Sequence, residues 1–156
     1  MLHKLLDTRD DPALAILRIV LGVTFFAHGA QKVLGWFGGP GFQGTLEGFG
    51  SMGLPAPLTT LVMAAELGGA ILLLIGLLSR VAAAGIAAVM VGAILMVHRQ
   101  NGFFMNWMGQ QAGEGFEYHL LVLAIAAALM LGGGGALSAD LVLSRQSSGS
   151  LRPVLK

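Results

Sequence analysis

The chain has 156 residues, 55% hydrophobic and 11% charged, with a formal net charge of +1 and a mean hydropathy of +0.78. A soluble domain carries about 25% charged residues, so this is the composition of an integral membrane protein, and so small a net charge with no basic run excludes nucleic acid as a partner. Cysteine is absent, which removes disulfides, thiolate metal sites and any thiol relay made by this chain alone.

Residues 1–12 are polar and end at Pro12, a residue suited to the first turn of a helix. The acidic residues before the apolar run do not fit a cleaved signal peptide, so the first span, about 13–34, is expected to be retained. It places strong charges inside a run long enough to cross a bilayer. At ~100° per residue, Gly22, Phe25, Gly29 and Lys32 share the face of Arg18, while Ile16, Val20, Val23 and Ala27 form an apolar face for lipid or another helix. A charge at membrane depth costs at least ~2.5 kcal/mol, so Arg18 is expected to point inward onto a partner.

Gly35 to Gly53 is too rich in glycine to span. Phe42, Leu46 and Phe49 recur within it at helical spacing, which predicts a short amphipathic helix at the membrane surface. Pro55 and Pro57 introduce a second span, about 57–79. It carries Glu66 at ~13 Å depth, close to the midplane of a ~30 Å core and the expected partner of Arg18 across a groove opened by Gly22 and Gly29. A turn at Ser79-Arg80 leads to a third span, about 81–98, rich in alanine and glycine and therefore suited to close helix packing. Residues 99–116 form a loop with Phe103, Phe104, Met105, Trp107 and Met108, too apolar to be simply solvated. The fourth span, about 117–137, opens on Glu117-Tyr118-His119 and fades into Gly132–Gly135. Residues 1–143 make one domain, and 144–156 a polar tail expected to be disordered.

Four spans place both termini on one side. That side holds Lys4, Arg9, Arg80, Arg145, Arg152 and Lys156 against Lys32 and Arg99 on the other, so the termini are expected in the cytoplasm. His28, Lys32, His98, Glu117 and His119 then belong to the outer third. Two readings of them stand: an ion-pair network that fixes helix packing, or a ligand groove in which the histidines hydrogen-bond a carbonyl and Glu66 or Glu117 accepts a proton. Trp36, Phe37, Phe42, Phe103, Phe104 and Trp107 would form its lid loops. A b-type haem between His28 and His98 needs both rings in one cavity, and a divalent metal on His28, His98, His119 and Glu117 has no local ligand motif, so neither is expected.

Arg18-x3-Gly22, His28-Gly29-x2-Lys32, Gly35-Trp36-Phe37-Gly38-Gly39, Glu66-x-Gly68-Gly69, Leu74-x-Gly76-Leu77-x2-Arg80, His98-x3-Gly102-Phe103-Phe104, Glu117 and Gly135-Ala136-Leu137-Ser138-x-Asp140 occur in order over about residues 13–141. This ensemble resembles the DoxX family of small bacterial membrane proteins. The resemblance implies an all-α, antiparallel four-helix membrane bundle in the bacterial inner membrane, with Arg18, His28, Lys32, Glu66, His98 and Glu117 as its motif positions; His119 lies outside the pattern. The family is linked to quinol oxidation and thiosulfate:quinone oxidoreduction, and its distant relatives include cargo receptors and chaperones. Two functions are therefore carried forward. One is the membrane subunit of a quinone-linked oxidoreductase, not catalytic alone, with a bound quinone and a redox protein partner. The other is a non-enzymatic binding or assembly protein for a partner helix or lipid. Self-association into a homo-oligomer is compatible with either.

Overall fold

A computed structural model describes residues 5–149. From Pro12 onward these residues form six α-helices and no strand: α1 (Pro12–Leu34), α2 (Gly41–Ser51), α3 (Ala56–Ile75), α4 (Ser79–Met96), α5 (Glu117–Gly132) and α6 (Ala139–Gly149). Three of them, α1, α3 and α4, are long and apolar enough to cross a membrane, and α5 is a shorter apolar helix.

Local chemistry sets the ends of α1. The Asp11 carboxylate accepts from Ala13 N at 2.8 Å, Pro12 occupies the first turn, and Gly35 closes the helix. Next, α3 runs antiparallel to α1, because Gly22 faces Leu74 and Gly29 faces Leu67. A Cβ on Gly29 would lie 2.7 Å from the Leu67 backbone, so the α1 glycines are filled notches that let two backbones meet rather than the walls of an open groove. In turn, α4 packs on α3, α5 on α4, and α5 on α1. A core of Leu21, Phe25, Leu73, Ile86, Val122 and Leu129 fills the centre. Outward lie Ile16, Val20, Val23, Leu61, Ile71, Val91 and Leu121, all exposed; an apolar exterior is what a helix bundle presents to lipid.

Three boundaries differ from the sequence expectation. The second helix stops at Gly76, not at 79, since Gly76 adopts φ 70° and ends the helix while Leu77 N donates back to Leu72 O at 2.9 Å. The turn is thus Gly76–Leu78, and Ser79 already opens α4. The buried Asp140 carboxylate caps that opening by accepting from Leu78 N at 2.7 Å and Ser79 N at 2.9 Å. Similarly α5 ends at Gly132, not 137, because Gly133 and Gly135 take φ of 85° and 76°, and the chain beyond it pairs with the N-terminal segment through Arg9 N to Gly132 O and Ala136 N to Asp11 O. Finally, the chain is helical past Ser144 to Gly149, anchored by Asp140 and by an Arg145–Asp10 pair at 2.6 Å. The remainder of the expected tail lies outside the described residues.

The bundle therefore has two ends. The turn end holds Gly76–Leu78, Gly133–Ser138 and α6. The loop end holds α2 and residues 97–116.

Candidate functional site

Arg18 belongs to the turn end and does not meet Glu66. Its side chain is 1% exposed and is surrounded by backbone oxygen: Nε donates to Gly134 O at 2.7 Å, Nη1 to Leu73 O at 2.5 Å and Leu74 O at 3.0 Å, and Nη2 to Leu137 O at 3.1 Å and Ala136 O at 3.4 Å. Leu73 and Leu74 are at the C-terminal end of α3, where carbonyls are short of helical donors, Leu73 O accepting also from Gly76 N, and the dipole favours a cation. Gly134 to Leu137 belong to irregular backbone, tolerated in a membrane protein only where its polar groups are satisfied internally. One guanidinium, with five donors, serves both needs. Arg18 is thus a structural residue, and the expected Arg18–Glu66 pair is replaced by an arginine–carbonyl cluster.

Glu66 instead pairs with Lys32. Nζ lies 2.5 Å from Oε2, and the side chains are 22% and 4% exposed respectively. The pair joins α1 to α3 near the loop end, where Thr45 of α2 donates to Lys32 O at 2.9 Å. His28, one turn before Lys32, is exposed at its outer edge, with its ring 6.1 Å from Phe25 and 6.4 Å from Tyr118. His28 lies one turn from Lys32 on α1, Lys32 pairs with Glu66, and the His28 ring adjoins Tyr118, so these four residues fall in one neighbourhood.

A line of rings continues from there. Tyr118 and His119 sit 5.5 Å apart edge to face, and His119 and His98 are 4.1 Å apart. His98 Nδ1 is 2.8 Å from Glu114 O. Because a carbonyl only accepts, that nitrogen carries the hydrogen and Nε2 is left as the other ring group. His119 is 6% exposed. Its Nδ1, like the Tyr118 hydroxyl, is buried with no hydrogen-bond partner among the described residues.

Glu117 stands apart, for its Oε2 accepts from Met105 N at 3.3 Å while Glu114 accepts from Asn106 N at 2.6 Å. The two carboxylates hold residues 103–116 in a folded-back loop, further closed by Glu117 N donating to Phe103 O and Phe116 N to Gly102 O. Trp36, Phe37, Phe42, Phe103, Phe104 and Trp107 are all exposed, Trp107 at 84%. Among the described residues no three His, Asp or Glu side chains come together as a ligand set.

A family model described as DoxX matches residues 13–99. The chain belongs to the DoxX family. It is also 34% identical over 114 residues to "Putative oxidoreductase CatD" of Bacillus subtilis (strain 168), covering 73% of this chain and 75% of that one. No solved structure matches it. Family membership and three apolar helices make this DoxX protein a multi-pass membrane protein. Of the site residues expected from the sequence, Lys32, Glu66 and His28 converge, His98 joins them through His119 and Tyr118, Arg18 is elsewhere, and Glu117 serves the loop. Tyr118 was not singled out from sequence, although it is the single tyrosine of the chain and begins an apolar helix beside a histidine.

Proposed function

We propose that this DoxX protein is the membrane subunit of an oxidoreductase system and that the loop-end cluster of His28, Lys32, Glu66, Tyr118, His119 and His98 takes a quinone or a similar lipid-soluble ligand. The observation that carries the reading is the Lys32–Glu66 pair, a charge pair with a 4% exposed carboxylate in an otherwise apolar wall. Ionisable residues retained inside a membrane mark function by default, because each costs desolvation that leucine avoids. The oxidoreductase name of the Bacillus relative supports the class. With no cysteine, the chain needs an external redox partner. Extraction of the purified protein followed by mass spectrometry is expected to yield co-purified quinone; none from a quinone-replete membrane would contradict the reading.

The same reading makes α5 the fourth span, with α2 at the interface and both termini in the cytoplasm of a bacterial inner membrane. At 1.5 Å per residue α5 reaches ~24 Å, short of a ~30 Å core, and the bilayer or the adjoining residues would take up the difference. Cysteines placed at Gln43 and Gln110 test the orientation. Both are expected to react with a membrane-impermeant reagent added outside intact cells, and reaction only after the membrane is broken would reverse the topology.

A further inference from the structure

We propose that Tyr118 Oη and His119 Nδ1 are the hydrogen-bonding groups of the ligand site, meeting the carbonyl or phenolic oxygen of a neutral, planar quinone or quinol. This rests on the quinone reading above and names the atoms that would grip the ligand. Buried polar atoms are almost always paired, yet two on consecutive residues at the start of α5 have no partner among the described residues. Phenylalanine and leucine would fill the same space without that cost. Groups retained there unpaired are set to bond a guest.

The surroundings define its charge and shape. Glu66 is already neutralised by Lys32 at 2.5 Å, and Glu117 accepts from the Met105 amide. Neither charge is free, so the neighbourhood favours neither a cation nor an anion. Beside the neutral pair stand the buried Tyr118 hydroxyl, which donates or accepts, and the buried His119 Nδ1, a set matched to a carbonyl or phenolic oxygen. Four rings adjoin these atoms: those of His28, Tyr118, His119 and His98 follow one another in contact at 6.4, 5.5 and 4.1 Å, so a planar guest reaching them would meet ring edges and faces. The Glu114 carbonyl orients His98 against His119. His98 is therefore a positioning residue, while Tyr118 and His119 touch the ligand.

The test is titration of the purified chain, in detergent, with ubiquinone-1 and separately with its quinol, for the parent, Tyr118→Phe and His119→Leu. The Tyr118→Phe substitution removes an oxygen that bonds nothing among the described residues, so its ligand-free melting temperature is expected to equal or exceed the parent's. Each variant is expected to bind at least one of the two probes about tenfold more weakly than the parent. Parent-like binding of both probes by both variants overturns the assignment and leaves the quinone reading standing. A fall in the ligand-free melting temperature of Tyr118→Phe also overturns it, since the hydroxyl would then be bonded within the fold. No binding by the parent removes the quinone reading and this assignment with it.

Discussion

Arg18→Met is expected to destabilise the protein by about 3–5 kcal/mol, the scale for stripping a buried charged donor from groups that stay buried. Methionine fills much of the same volume, so the loss measures the guanidinium. Five carbonyl oxygens, from Leu73, Leu74, Gly134, Ala136 and Leu137, would lose their shared donor, and a methionine side chain supplies none. Arg18→Lys is expected to recover only part, because an ammonium presents a point charge where the site uses a planar fork. Unfolding in mild detergent, followed by circular dichroism, reads the effect. Since Arg18 and Glu66 have no shared partner, losses from Arg18→Met and Glu66→Ala should add. Parent-like stability of Arg18→Met would contradict the structural role.

The second large effect belongs to Lys32. Lys32→Met leaves the Glu66 carboxylate buried and uncompensated, and the expected loss is again about 3–5 kcal/mol. Glu66→Leu alone strands a partly exposed ammonium, which can reach toward the interface, so its cost should be smaller. The double variant Lys32→Met/Glu66→Leu removes both charges and should return close to parent stability, as replacement of buried ion pairs by apolar residues commonly does. Additive losses in this cycle would show that the pair is not coupled.

The helices were legible where their ends carry a chemical mark, as with Pro12 at the start of α1. The turn after α3 was not, because its residues Leu77 and Leu78 are apolar; in a membrane protein hydropathy does not separate turns from spans. Its actual marks are Gly76 at positive φ and a carboxylate, Asp140, far away in sequence. Arg18 was correctly read as inward-facing, but a search for its partner among opposite charges overlooks backbone carbonyls, which no residue letter records. The Gly132–Gly135 run was the available clue, since irregular backbone at that depth needs a donor. In the site, Lys32 and Glu66 were both candidates, yet their pairing depended on how α1 slides along α3. That register is set by Gly29 against Leu67. Tyr118 and His119 owe their importance to unpaired atoms, a property only the packed structure reveals.

The polar residues fall into two groups, a turn end that holds the fold and a loop end proposed to hold a ligand. Thermal melting of the Lys32→Met/Glu66→Leu double variant with and without ubiquinone-1 tests that division most directly. The predicted result is a ligand-free melting temperature close to the parent's and a smaller upward shift than the quinone gives the parent. An equal quinone-induced shift in parent and double variant would contradict it, making the loop-end pair a packing device with no part in binding.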